Sequence, residues 1–201
     1  MSRDTLKLVI ALLAMTIAVV MWIGDRPIPH LPGVLAPDDP TQGNPRSEAT
    51  WQARGYEIHP RAAFSLRARV LSATHYRWDA GARLAPVDLA LGWGRMSDST
   101  VLERFKVTQG SRYFTLYPRD GDGDVDLADA MRHSSNMHLI PATEAIRRKL
   151  ESAKEGNLVT LRGQLVDVGG PDGFTWHSSL RRDDSGAGAC ELVWVEELDL
   201  R

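Results

Sequence analysis

The 201-residue chain lacks several features that would narrow its function. It has one cysteine, which excludes an intrachain disulfide framework and any zinc or iron–sulfur site built from several cysteines. It also lacks an excess of charge, because 24 basic and 26 acidic residues give a formal net charge of −2. Nucleic-acid-binding proteins usually carry a basic excess on one face, so we expect no nucleic-acid partner. The sequence contains neither an internal repeat nor a glycine-rich phosphate loop.

The clearest feature that is present is a long apolar run near the N-terminus. Residues 8–23 are uncharged, Arg3 and Lys7 precede them, and Arg26 follows them. The length approaches the ~20 residues needed to cross a bilayer, and the positive-inside rule places the N-terminus in the cytoplasm. We therefore expect residues 1–24 to be a transmembrane anchor that contacts the lipid bilayer through residues 6–24. A cleaved signal peptide is the alternative, but no small-residue cleavage pattern follows the run.

Composition divides the rest of the chain into two parts. Residues 25–50 contain six prolines, which favours an extended, solvated linker between membrane and domain. Residues 51–201 form the predicted domain, which an anchor of this orientation places across the membrane from the cytoplasm; in a bacterium that compartment is the periplasm, at the inner membrane. Hydrophobic residues make up 43% of the chain and charged residues 25%, as is typical of a chain with a packed core.

The domain has mainly strand-like patterns. Residues 64–70 alternate between apolar and polar, and residues 106–109 and 112–117 flank a predicted hairpin turn. Further strands are predicted at 158–168, 174–180 and 191–198, and helices at 141–155 and 98–105. We expect a mainly β fold with one or two helices (α+β). Its order resembles a small, partly open barrel of the oligonucleotide/oligosaccharide-binding (OB) type, with a helix between the third and fourth strands.

Three groups of residues resemble a known family when taken in order. They are PVDLALGWG at 86–94 with MSD at 96–98, HSSNMHLIPA at 133–142, and WHSSL at 176–180 with GACE at 188–191. Together they resemble a family of uncharacterised bacterial proteins, many of which are membrane-anchored. The resemblance implies a protein of the bacterial cell envelope and assigns no catalytic role to any residue.

One set of residues has the composition of a thiol-dependent hydrolase or transferase. Cys190 would be the nucleophile, His177 or His138 its base, and Asn136 the group that orients the ring. The alternative is structural, because a lone cysteine is most often a small buried hydrophobic residue.

An acidic stretch resembles a calcium-binding loop. Asp120, Asp122, Asp126 and Asp129 are the candidate ligands, but Pro118 occupies the first ligand position and the final glutamate is missing. A solvated acidic turn is the alternative. We expect no cofactor.

The expected function is a non-enzymatic module that binds a ligand or a protein partner in the envelope, with the thiol enzyme as the alternative. Trp93, Asn136, His138 and His177 are the candidate binding residues. Trp93 has two interpretations, because glycines on both sides allow either an exposed stacking surface or close packing around a buried ring.

Overall fold

The computed structural model describes residues 2–24, 26–119, 125–181 and 189–201. Its helices are α1 (Arg3–Gly24), α2 (Ser99–Leu102), α3 (Leu127–Arg132) and α4 (Glu144–Glu151). Its strands are β1 (Thr41–Gly43), β2 (Trp51–Ala53), β3 (Tyr56–His75), β4 (Val87–Gly92), β5 (Phe105–Gly110), β6 (Tyr113–Pro118), β7 (Ser134–Pro141), β8 (Leu158–Gly169), β9 (Thr175–Trp176) and β10 (Glu191–Leu200).

The fold is mainly β, as predicted, and its main sheet is partly closed on itself. The strand order is β3-β4-β7-β10-β8, and β8 pairs with β3 again. Every pairing in this ring is antiparallel except that of β7 with β10. The short strands β1, β2 and β9 extend the sheet, whereas β5 and β6 form a separate hairpin. Helix α4 connects β7 to β8 and buries Ile146 and Leu150.

Strand β3 closes the sheet because it is long and bent. Its first two thirds pair with β8 and its last third pairs with β4. The pairing register shifts between Pro60 and Ala62 and again between Val70 and Ser72, and such bulges let a strand turn from one neighbour to the next. The predicted alternation is confirmed here, since Phe64 and its alternate neighbours are buried in the barrel interior.

A glycine allows β8 and β10 to approach closely. A Cβ atom at Gly163 would lie 1.9 Å from the carbonyl oxygen of Trp194. The pairing register between β10 and β8 shifts just after this contact, between Val195 and Glu197 of β10. A side chain at position 163 would therefore separate the two backbones, which is why this position in the strand needs glycine.

The assignment of individual strands needs correction. The segment 106–117 is the predicted hairpin, but it lies outside the main sheet. Its place in the ring is taken by β4 and β7, neither of which is among the predicted strands. All residues of β4 and β7 are buried, so neither strand has the polar-apolar alternation that identifies a half-exposed strand. The strand predicted at 174–180 is only Thr175–Trp176.

The N-terminal part is a helix followed by a segment that packs on the domain. No helix in the described part of the chain is both long enough and apolar enough to cross a bilayer. The proline-rich segment is not a free stalk, which corrects our expectation. Ile28 donates its N–H to the carbonyl of Glu155, Ala36 accepts from the N–H of Gly94, and β1 pairs with β3. These backbone hydrogen bonds hold the segment on the domain surface.

Candidate functional site

The most polar buried region of the domain lies on the outer face of β4 and β7. Alternate residues of these strands, such as Leu89 and Met137, point into the barrel. The residues between them point outward, where the β5–β6 hairpin and Trp176 cover them. Because Asp88 pairs directly with His138 across the ladder, their side chains meet on this face.

Arg112, at the tip of the hairpin, connects this face to the loop between β3 and β4. Its guanidinium donates two hydrogen bonds to Asp79, at 3.0 and 2.7 Å, and one of 2.7 Å to Asp88. A further hydrogen bond goes to the carbonyl of Ala85, and the guanidinium lies 3.7 Å from the centre of the Tyr76 ring. This combination of ion pairs and cation–π contact fixes the hairpin tip on the barrel.

The Arg112 backbone is also engaged. Its N–H donates to the hydroxyl of Tyr76 at 3.0 Å. Burial raises the pKa of that phenol, and the hydrogen bond from Arg112 acts against this shift. Ser111 and Arg112 both have positive φ values, 51° and 69°, as a two-residue hairpin turn of type I′ requires. Neither residue is glycine, so side-chain and backbone contacts hold an otherwise unfavourable turn.

His138 lies deeper in the same cluster. Its Nδ1 is 2.9 Å from Oδ2 of Asp88, and neither atom makes a hydrogen bond of good geometry in the described part of the chain. The imidazole packs against Trp176, with 4.7 Å between the ring centres. The segments 133–142 and 175–176 therefore touch. His138 is a buried partner of an acid and an aromatic ring, away from solvent.

A cavity of about 320 Å³ adjoins this cluster, between the hairpin, the start of β7 and the start of β10. Its size is within the usual range for a small-molecule site. It is lined by three classes of side chain: aromatic rings, hydroxyl and amide groups, and two arginines, together with Cys190 and Glu191. These residues are Trp93, Tyr113, Phe114, Thr115, Met131, Arg132, Ser134, Ser135, Asn136, Arg181, Ala189, Cys190 and Glu191.

Hydrogen bonds within the protein hold two lining residues in place. The Ser135 hydroxyl donates to the carboxylate of Glu191, which is 2% exposed. The Asn136 amide donates to the carbonyl of Arg112 at 3.0 Å and accepts from Gln109 at 2.7 Å. Asn136 thus supports the cavity wall.

The candidate thiol lines the cavity, but the structure places the candidate bases elsewhere. Sγ of Cys190 is 3.8 Å from Nδ2 of Asn136 and 3.8 Å from the carbonyl oxygen of Arg112. His138 contacts Asp88, as described above. The side chain of His177 is 70% exposed, and its Nδ1 is 3.2 Å from Asp167. Among the described residues that line the cavity there is no histidine.

The tryptophans also differ from one interpretation of the sequence. Trp93 is 1% exposed, so its ring is not an exposed stacking surface, although it contributes to the cavity wall. Among the tryptophans whose burial is described, the exposed one is Trp78, which is 95% exposed in the loop between β3 and β4.

Half of the candidate calcium loop is described. Asp120 and Asp122 lie outside the described residues. Asp126 caps α3 by accepting a hydrogen bond of 2.8 Å from the N–H of Asp129. The carboxylate of Asp129 is 3.3 Å from Arg95. In the described ranges, no group of three or more histidine, cysteine or acidic side chains is arranged to hold a metal ion.

Sequence reasoning missed the central residues of the polar cluster. Asp88 did carry a signal, because it is a single acid inside an otherwise apolar run, and such a group needs a partner when the run is a buried strand. Arg112 carried none, since an arginine at a hairpin tip is ordinarily solvated. Its partners Asp79 and Asp88 are 33 and 24 residues away.

Comparisons with known proteins give no family assignment: no family model, curated protein sequence or solved structure matches this chain.

Proposed function

We propose that the chain is a membrane-anchored, non-enzymatic binding protein whose domain is a barrel of the OB type. The strand order supports this fold. Numbered in chain order, the five strands of the ring are β3, β4, β7, β8 and β10, so β7 is the third and β10 the fifth. These two strands form the parallel pair, as the third and fifth strands of an OB fold do. The helix between the third and fourth of these strands, α4, agrees with it. In OB folds the second and third strands and the loop before the fifth strand carry the ligand.

The observation that carries the binding function is the cavity beside Cys190. It adjoins the third strand of the ring, β7, and the start of the fifth, β10. Aromatic rings beside hydroxyl groups suit a sugar, because a sugar ring has apolar C–H faces that stack on aromatic rings and hydroxyl groups at its edge that form hydrogen bonds. The guanidinium groups of Arg132 and Arg181 suit an acidic substituent. The proposed ligand is therefore a short carbohydrate that carries a carboxylate.

A matched pair of sugars tests this ligand class. N-acetylmuramic acid differs from N-acetylglucosamine by one lactyl group, which adds the carboxylate. We expect titration calorimetry to show binding of the acidic sugar at least about tenfold tighter, which corresponds to about 1.4 kcal/mol. The double variant Arg132→Gln/Arg181→Gln should remove this difference.

The control is a double variant with the same change of charge outside the cavity. Arg67 and Arg162 are exposed on β3 and β8, so Arg67→Gln/Arg162→Gln should leave the difference between the sugars unchanged. Equal affinity for both sugars in the unmodified protein would contradict the proposed role of the arginines. No binding of either sugar would contradict the ligand class.

The membrane anchor is proposed from the sequence of residues 6–24. The exposed apolar side chains of α1, among them Leu8, Ile10 and Leu13, support it, because the transfer of an apolar surface from water into lipid lowers the free energy. The orientation proposed is a cytoplasmic N-terminus and a periplasmic domain at a bacterial inner membrane. We expect the full chain to stay in membranes extracted with alkaline carbonate. Release into the supernatant would contradict the anchor.

A protein partner in the envelope is also proposed, because the proposed anchor would hold the domain beside other proteins of the same membrane. Crosslinking in intact membranes followed by mass spectrometry should find crosslinks between the domain and one envelope protein. Crosslinks only within the chain would contradict it.

The thiol-dependent enzyme is the second candidate, and the position of Cys190 in the cavity favours it. The carbonyl of Arg112 favours the protonated thiol and the N–H of Asn136 favours the thiolate, so these two contacts oppose each other. Nucleophilic catalysis also needs a base, and no histidine is among the described residues that line the cavity. On the binding hypothesis, iodoacetamide should modify Cys190 no faster than a free cysteine peptide at pH 7. Labelling at least tenfold faster than the peptide would favour the enzyme.

A further inference from the structure

A second depression, separate from the cavity, has a strongly basic lining. It has a volume of about 830 Å³ and lies between the β2–β3 turn, the loop that follows β3, and helix α4. Four arginines contribute to it: Arg54, Arg77, Arg83 and Arg147. Among the described lining residues, Glu151 is the one carboxylate. We call this surface the basic groove.

The guanidinium groups of the basic groove are only partly neutralised. Arg147 lies 3.3 Å from Glu151 and 3.7 Å from Glu144, so these carboxylates offset part of its charge. For Arg54, Arg77 and Arg83, no carboxylate within 4.0 Å is present in the described ranges. Burial and the charge of Arg147 lower the pKa of Arg54, and the charge of Glu144 acts against this shift. An anionic partner would relieve this repulsion.

An exposed tryptophan lies beside these arginines. Trp78 follows Arg77 directly, and its side chain is 95% exposed. Tryptophan is usually buried, because its ring contributes a large apolar area, and it is enriched where an apolar phase meets water. The combination of unneutralised arginines and an exposed indole matches the two layers of a phospholipid surface, which are anionic headgroups and the apolar region beneath them.

The basic groove also lies close to the end of α1. Lys154 donates a hydrogen bond of 2.9 Å to the carbonyl of Gly24, the last residue of that helix. Lys154 is three residues from Glu151, which lines the groove, so the two Cα atoms are at most about 11 Å apart. The segment after α1 is held on the domain by Ile28 and does not act as a long spacer. An anchored α1 would therefore bring the groove near the membrane.

We infer that the basic groove and Trp78 dock the domain onto anionic phospholipids of the membrane that holds α1. This inference rests on the proposed anchor. The arginines contact headgroup phosphates, and the indole of Trp78 enters the interface. Docking fixes the orientation of the domain on the bilayer, so that the carbohydrate cavity keeps one direction relative to the membrane.

Hydrogen exchange of the full chain in vesicles tests the inference. We expect residues 77–83 to exchange at least tenfold more slowly in vesicles with 30% phosphatidylglycerol than in pure phosphatidylcholine vesicles. Protection of residues 8–24 should be equal in both. Each arginine near an anionic surface strengthens association about fivefold, so Arg77→Gln/Arg83→Gln should weaken the association about 25-fold and remove the added protection. The control variant Arg67→Gln/Arg162→Gln should retain it.

The possible outcomes separate the two proposals. If residues 8–24 are unprotected in both vesicles, the anchor fails. If they are protected but residues 77–83 exchange equally in both lipids, the docking inference fails while the anchor stands. Equal protection of 77–83 by inorganic phosphate or by soluble polyphosphate, with phosphatidylcholine vesicles, would overturn the lipid as the partner and indicate a site for soluble anions.

Discussion

The contacts of Arg112 make a sharp prediction, because one guanidinium pairs with two carboxylates at the same distance. The shortest contacts with Asp79 and Asp88 are both 2.7 Å. The Asp79 side chain is 37% exposed and that of Asp88 is fully buried. An exposed ion pair contributes about 0–1 kcal/mol to stability, whereas breaking a buried pair costs about 3–5 kcal/mol, since a desolvated charge stays behind.

We therefore expect Arg112→Met to lower the free energy of unfolding by about 3–5 kcal/mol, and Asp79→Asn by less than about 1 kcal/mol. Methionine keeps much of the packing over Tyr76 while it removes the charge. Urea unfolding at pH 8, where an ordinary imidazole is neutral, measures both variants. With a slope of about 2 kcal/mol per molar urea, the midpoint of Arg112→Met falls by about 1.5–2.5 M.

A double variant identifies the source of the loss. If the unpaired Asp88 carboxylate causes it, adding Asp88→Asn to Arg112→Met should restore part of the stability, because the buried charge disappears. The reasoning is refuted if the double variant is as unstable as Arg112→Met, or if Asp79→Asn costs as much as Arg112→Met.

Three further predictions concern stability elsewhere in the domain. Gly163→Ala should lower the free energy of unfolding in urea by about 3 kcal/mol, because its Cβ would lie 1.9 Å from a carbonyl oxygen of β10. An unchanged urea midpoint would contradict this close contact. Gly156→Ala should speed proteinase K cleavage between residues 26 and 36, because its Cβ would lie 2.2 Å from the carbonyl oxygen of Ile28. Gly173 also has a positive φ but has open space around it, so Gly173→Ala should leave that cleavage unchanged. Burial raises the folded-state pKa of Glu155 above its unfolded-state pKa. The folded state therefore loses stability as the pH rises through these two values, because the buried carboxyl must ionise. Glu155→Gln should raise the urea midpoint at pH 7 more than at pH 4, and an equal gain at both pH values would contradict this reasoning.

Elements with a local pattern could be predicted from the amino-acid sequence alone. Phe64 and its alternate neighbours indicated β3, because one face of that strand is less buried than the other. The hairpin around Ser111 followed from two strand-like runs separated by a short turn, although nothing local showed that it forms a sheet of its own. Helix α4 was expected at 141–155 and occupies Glu144–Glu151, where Thr143 caps its first turn.

Strands that lie between two layers could not be predicted in this way, because their burial depends on contacts with distant segments. The strands β4 and β7 are covered by the barrel interior on one side and by the hairpin and Trp176 on the other, so their burial is continuous and has no period. The exposure of Trp93 also depended on tertiary structure, because the glycines on both sides of it allow either a buried or an exposed ring, and the fold leaves it 1% exposed.

The polar cluster depended on tertiary structure for the same reason. Asp88, His138 and Arg112 come from three separate segments, and the distances between them follow from the strand pairing and from the fold of the hairpin back onto the barrel. The residue types in the sequence suggested a cysteine thiol with a histidine base. In the fold, His138 instead contacts the carboxylate of Asp88, and the thiol of Cys190 contacts the side-chain amide of Asn136. The sequence determined which chemical groups were available. Long-range pairing decided their partners, because each strand pairing brings together side chains that are far apart in the chain.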